Sequence, residues 1–328
     1  SFASVTLPSG YSTLTVGNRH VLSYAGAICG GVCWDGGAGT LLWTDAANWT
    51  TDLLPGTTDL VFIDLENGVN VQLTGGTHTI ASLTTTVGNT LTLSGGALTL
   101  SGGTSGQAAS ALAGDLVIGG GSFTANAQTS IARLLLSAGS FGGSGAVTFT
   151  GAGSSWTGGD MVGNGSSIFA AGSTFEYAAG TRSSTRRVDV RQGATVRNAS
   201  GSMTLTGGAT NAGVIDVALG ATVRYGGSAS YLLDTTGQFD GGGRIEFIDS
   251  AMATAASTAP AIADGSFTVR VQDAARFTMT APTSIATLEL AGNAQVIAQA
   301  GFQAANLTQT GGTLTVNAAS AIGRYNWN

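Results

Sequence analysis

Apolar and polar residues alternate along this chain in short bursts, separated by small corner residues. The clearest case is Leu91–Gly103, LTLSGGALTLSGG. Leu91-Thr92-Leu93 and Leu98-Thr99-Leu100 read as two strands, each followed by Ser-Gly-Gly. Side chains in a strand point alternately to its two faces, which sends the leucines inward and the threonines outward. The same pattern recurs at Val69–Leu73, Leu116–Ile118, Leu134–Leu136, Val147–Phe149, Phe175–Tyr177, Val188–Val190, Met203–Leu205 and Val214–Val217. It returns at Ala221–Val223, Ile245–Phe247, Phe267–Val269, Leu288–Leu290 and Leu314–Val316. No apolar segment keeps a 3.6-residue period for a dozen positions, so no long helix is expected.

Two all-β architectures fit. Gly-Gly between alternating strands is also a hairpin signal, which would build an antiparallel sandwich or barrel. Strands of about three residues with tight Gly corners favour a parallel β-helix, in which each coil stacks on the one before. Irregular spacing points to the right-handed type. At roughly 20 residues per coil, the chain would form about 13–16 coils and a rod of about 60–75 Å. The phrase Ile80-Ala81-Ser82-Leu83 returns as Ile131-Ala132-Arg133-Leu134 and Ile285-Ala286-Thr287-Leu288. The step from Leu134 to Leu288 is close to three times the step from Leu83 to Leu134. A fixed long period marks a solenoid.

Composition changes the picture in two ways. Glycine is abundant, 52 of 328 residues, while charged residues make up 9% against 43% hydrophobic. Such a chain folds rather than remaining disordered. All 12 basic residues are Arg, and the net charge of −6 argues against nucleic acid as the main partner. No apolar run approaches the ~20 residues of a membrane span.

Residues 1–68 read as an N-terminal cap and a Trp/Asp-rich opening module. Val5–Leu7, Leu14–Val16 and Val21–Leu22 are short strand candidates within it. Cys29 and Cys33, in C-G-G-V-C, are the chain's two cysteines and are expected to form a disulfide, which suits an oxidising compartment. Two free thiols are the alternative. Neither they nor the isolated His20 and His78 compose a zinc site.

The module contains Trp34, Trp43 and Trp49, with Asp35, Asp45, Asp52, Asp59, Asp64 and Glu66. Trp43, Asn48, Trp49, Pro55, Asp59, Val61 and Ile63 are spaced W-x4-N-W-x5-P-x3-D-x-V-x-I. Together with the Gly-rich repeats after it, this stretch resembles the opening module of bacterial exported β-helix proteins. That group is the autotransporter and filamentous-haemagglutinin-like adhesin passenger class. The NPNG-type motif of the haemagglutinin secretion domain is absent. The resemblance implies export to a bacterial surface, a β-helix fold and an adhesive or structural role.

Several residue sets offer chemistry. The three tryptophans could stack on carbohydrate or pack a cap, and Asp45, Asn48, Asp52 and Asp59 could hold calcium or close turns. No other cofactor or metal is expected. Arg182, Arg186, Arg187, Arg191 and Arg197 cluster within the one short stretch 182–197. They read either as a strip for an anionic glycan or as partners of Glu176 and Asp189 on adjacent coils. Asp234, Asp240, Arg244, Glu246 and Asp249 form the best set for a polysaccharide lyase or hydrolase, with Glu246 outward. Ala251–Ala263 interrupts the strand pattern and is expected to be an excursion from the rod or a short helix. The C-terminal stretch carries no polar cap, which suggests truncation from a longer exoprotein or contact with another copy.

The function expected on these grounds is a non-enzymatic, extracellular, adhesive or fibre-forming protein of a bacterial surface. Its partners would be itself, other surface components or a polysaccharide. A polysaccharide-active β-helix enzyme and a glycan-binding module are the alternatives.

Overall fold

The computed structural model describes residues 11–16, 19–24, 29–178, 180–256 and 267–327. Strands dominate, and the one helical element among the described residues is the 3-10 turn Ala46–Asn48. The strands stack as a parallel β-solenoid of about 13 turns. Each turn contributes three short strands, one to each of three faces. Ser82–Thr85, Thr90–Leu93 and Ala97–Leu100 make one such turn. The third face is a 13-stranded parallel sheet running from Thr77–Ile80 to Ala321–Trp327.

The alternation of apolar and polar positions is the reason for this architecture. Val71, Leu91, Leu116 and Leu134 stand directly above one another and are fully buried. Each inward Leu or Val contributes about 1.5–3 kcal/mol on burial. Aromatic rings stack in the same way: Phe149 lies over Phe169 at 5.0 Å, and Tyr225, Phe247 and Phe277 follow at 5.4 and 5.1 Å.

Glycine supplies the corners. Gly96, Gly121, Gly139 and Gly159 line up between the second and third faces with φ of 69, 66, 71 and 71°. A Cβ on Gly139 would sit 2.3 Å from the Gly121 carbonyl oxygen. Both the left-handed backbone and the tight stacking therefore require glycine. The antiparallel alternative fails here, because these Gly-Gly pairs turn corners rather than closing hairpins. Among the described strands only Tyr11–Val16 and Arg19–Tyr24 form an antiparallel pair.

Three expectations are corrected. The recurring Ile-Ala-x-Leu phrase is not a repeat at a fixed place in the coil. Ile80 and Leu83 span the corner from third to first face, and Ile131 and Leu134 the corner from first to second. Ile285 and Leu288 flank the corner that leads into the third face. Inward positions three apart, instead of two or four, mark a change of face, so one phrase serves three corners. The coil length itself varies. Ala298 lies beside Val316 and Thr85 beside Leu112, and the second step along the chain is half as long again as the first. The expected excursion at 251–263 is strand in its first part, Met252–Ala255, in register with Ser230–Leu233. Its small alanines point inward, which hid the strand from a reading based on large apolar residues; positions 257–263 lie outside the described residues. Finally, the solenoid draws on the segment 1–68: Val32–Cys33 pairs with Val61 and Phe62, and Leu60–Ile63 pairs with Ser82–Thr85. The candidate strand Val5–Leu7 lies outside the described residues.

Candidate functional site

The Trp-rich segment packs inward. Trp34, Trp43 and Trp49 are 2%, 0% and 0% exposed. Trp49 meets Trp34 edge-on at 5.1 Å and Trp43 at 4.7 Å, and its indole N–H donates to the Trp43 carbonyl at 2.9 Å. None of the three presents a face to a sugar, so carbohydrate stacking is corrected to core packing. Asn48 is also buried; its side chain accepts from Ala38 N–H and donates to Thr40 Oγ1 and the Leu42 carbonyl. Asp45 accepts from Thr40 Oγ1 and Asp59 from Gly56 N–H, while Asp52 turns the chain at φ 53°. These side chains order the loops of the segment. Among the described residues no three His, Cys, Asp or Glu side chains gather as they would around a metal ion. Cys29 and Cys33 are disulfide-bonded just where the first ladder begins.

The arginine strip is dispersed. The stretch 182–197 covers most of one coil, so its five arginines travel around the perimeter instead of lining one face. Arg182 lies on the third face near Asp160 at 3.9 Å. Arg187 opens a first-face strand, paired with Asp189 at 2.9 Å, and Arg191 follows that strand, exposed. Arg197 lies on the second face between Glu176 at 3.9 Å and Asp216 at 3.6 Å.

Arg186 departs furthest from expectation, because it points into the solenoid and is 0% exposed. Its guanidinium donates to Ser167 Oγ and to the carbonyls of Gly143, Gly145 and Ser166, at 2.7–3.1 Å. The inward Ser167 and Ser184 leave room for it. Burial pushes its pKa down to about 10, which keeps it charged at neutral pH. Arg186 is therefore removed from any glycan-binding strip.

Within the carboxylate set, Glu246 and Asp249 are bound to neighbouring coils. Glu246 lies on the outer side of its strand, but it is covered instead of exposed. Arg224 reaches it at 2.7 Å and Arg244 at 3.4 Å, leaving 7% of its side chain open. Arg244 also reaches Glu289 at 3.2 Å. Arg224, Glu246, Arg270 and Glu289 occupy matching positions on four successive coils, giving a column of alternating charge. The sequence carried that signal as alternating charge one coil apart, visible only once the length of each coil is known. Asp234 accepts from Thr235 N–H, Asp240 from Gly241 N–H and Asp249 from Gly227 N–H. Asp249 and Asp273 adopt φ of 57 and 60° at one corner, the second carboxylate accepting from Asp249 N–H.

Among the described residues, small interior voids of about 20 Å³, room for a single water, include the following pair. One lies among Trp156, Met161 and Phe175, the other among Tyr225, Tyr231 and Phe277. Burial raises the pKa of Tyr225 and pushes that of Tyr231 up to about 12. No helix among the described residues is long and apolar enough to cross a membrane. No protein-family model matches this chain, and no curated protein or solved structure matches it.

Proposed function

We propose that this chain is a non-enzymatic structural or adhesive rod, exported to a bacterial surface and related in kind to the autotransporter and filamentous-haemagglutinin-like passengers. The observation that carries this reading is the use made of the charged groups. The carboxylates best suited to catalysis are bound to backbone N–H groups or clamped by arginines of neighbouring coils. Glu246 and Asp249 join one coil to the next, and Asp234 and Asp240 each cap the residue that follows. The disulfide fits an oxidising compartment. Outward columns of threonine and serine fit a solvated rod, as in Thr79, Thr99 and Thr124.

Self-association by coil stacking belongs to the same reading. The coil formed by Thr313–Val316 and Ala321–Trp327 continues the core section, with Leu314, Ile322 and Trp327 in register with buried Val296, Ala304 and Gln309. Val316, Ile322, Tyr325 and Trp327 are 38–65% exposed there. A further coil, from a longer chain or another copy, would extend both the core and the open strand edges.

A depolymerisation screen tests the absence of catalysis. Incubation with neutral and acidic bacterial polysaccharides should release no new reducing ends and no unsaturated sugars. Release that is lost in Glu246→Gln or Asp240→Asn would overturn the reading in favour of a polysaccharide lyase or hydrolase.

A further inference from the structure

We propose, on the premise that rods stack, that the open C-terminal coil is received by the N-terminal end of a second copy, so that copies join head to tail. Exposed large apolar side chains gather at the two ends of the rod, whereas those between, such as Val87, Val162 and Leu219, stand singly on separate coils. Gathered apolar exposure of this kind marks a contact surface. One end is the last coil, with Val316, Ile322, Tyr325 and Trp327. The other end carries Leu41, Leu53 and Leu54, which are 40–69% exposed.

The chain path puts these leucines at the N-terminal end. Val32–Cys33 takes the first-face position before Leu60–Ile63. Residues 41–43 take the second-face position before Asn70–Leu73: Gln72 N–H donates to the Leu41 carbonyl at 2.8 Å, and Trp43 N–H to the Gln72 carbonyl at 2.9 Å. Residues 44–59 then run from the second face to the first, across the arc where later coils place their third-face strand. On the way, Thr50 N–H donates to the Cys33 carbonyl and Asp35 N–H to the Asn48 carbonyl, each at 2.9 Å, on the edge turned away from Leu60–Ile63. The loop holding Asp52, Leu53 and Leu54 therefore leaves from the outermost edge of this end. The strands Tyr11–Val16 and Arg19–Tyr24 form a sheet of their own and join no ladder of the solenoid.

The two ends also differ in charge. Between positions 20 and 114 the charged residues are Asp35, Asp45, Asp52, Asp59, Asp64 and Glu66, all acidic. Between positions 291 and 328 the one charged residue is Arg324, exposed on the last third-face strand. Among the described residues none of these groups joins an ion pair. In a stack with faces aligned, Arg324 of one copy approaches residues 44–59 of the next, which carry Asp45, Asp52 and Asp59. Pairing of like ends would set arginine near arginine or acid near acid. Opposite charges steer encounter and fix orientation. A head-to-tail contact joins two different surfaces and does not close on itself, so it builds a filament.

End-blocked variants of the full chain test this, followed by sedimentation and negative-stain electron microscopy. Leu53→Asp with Leu54→Asp blocks one end, and Ile322→Asp with Trp327→Asp blocks the other. Each variant should stay single on its own, and an equal mixture should form pairs that grow no further. Arg324→Glu should move wild-type assembly to higher protein concentration, and adding Asp52→Arg should move it back. Leu53→Asn with Leu54→Asn replaces the first variant if that one loses its far-UV β spectrum. A folded first variant that pairs with itself would show tail-to-tail contact, and one that still forms filaments would place the contact elsewhere. Either result overturns the head-to-tail proposal and leaves stacking in place. A wild-type chain that stays single at every concentration overturns stacking and the proposal together.

Discussion

The guanidinium carbon of Arg186 stands 5.5 Å from the centre of the Phe141 ring, inside the solenoid and well separated from it along the chain. Among the described residues no carboxylate reaches it; its partners are backbone carbonyls, one serine hydroxyl and a ring. It therefore ties several coils together across a corner, sharing the Gly143 carbonyl with the Gly165 N–H. Replacing Arg186 by Met should cost about 2–4 kcal/mol, since its buried hydrogen bonds to Ser167 and to the backbone carbonyls would be lost. Urea unfolding of the two proteins measures the difference. An unchanged midpoint would mean that water substitutes for the guanidinium.

Gly139→Ala should be among the more damaging single substitutions in the rod. Its left-handed φ alone costs a non-glycine residue about 1–2 kcal/mol, and the added Cβ meets the Gly121 carbonyl oxygen at 2.3 Å. Gly39→Ala provides the comparison, with φ of 71° but nothing within 4 Å. It should show the backbone cost alone, and the gap between their melting temperatures reports the stacking term.

These corners show what the sequence made legible. Leu91, Leu93, Leu98 and Leu100 alternate with threonine on one coil, and local alternation is enough to identify strands and their inward faces. Glycine after each strand identifies corners. Which residues become neighbours between coils depends on coil length, and no local rule sets it. The coil from Thr85 to Leu112 is half as long again as the one from Ala298 to Val316. Arg186 and Arg187 look equivalent in sequence, yet one lies inside the rod and the other on its surface. Glu246 was placed on the correct side of its strand, but of its two covering arginines one, Arg224, comes from the coil before. The Cys29–Cys33 pairing was legible because both partners lie in one loop.

Alkaline pH should destabilise the fold through its buried tyrosines. An unfolded tyrosine loses its proton near pH 10, whereas folded Tyr231 holds it to about 12. Between these values the unfolded chain binds fewer protons, so stability falls as pH rises, by about 1.4 kcal/mol per unit for each such group. Tyr225 shifts in the same direction. Arg186 acts in the opposite sense, because its folded pKa is depressed. Denaturation at pH 9 and pH 11 should therefore show a smaller loss for Tyr231→Phe than for wild type. That variant also gives up the bonds to the Leu205 and Gly226 carbonyls, so its starting stability is lower.

The charge column predicts a ranking. Glu246→Gln removes a covered carboxylate from two arginines and should cost about 1–2 kcal/mol. Glu289→Gln affects a more open group with one arginine contact at 3.2 Å and should cost less than about 1 kcal/mol. The second effect should shrink in 1 M salt, while the first persists. Equal costs for the two would contradict the view that Glu246 is the column's covered centre.

Imaging of purified protein by negative-stain electron microscopy, over a range of concentrations, tests most directly whether this chain acts as a stacking rod. Thirteen turns at about 4.8 Å give units about 60 Å long. The expected images show such rods at low concentration and filaments one rod wide at high concentration, disrupted by Trp327→Asp with Ile322→Asp. Discrete rods at every concentration would contradict the stacking role and move attention to the sides of the rod.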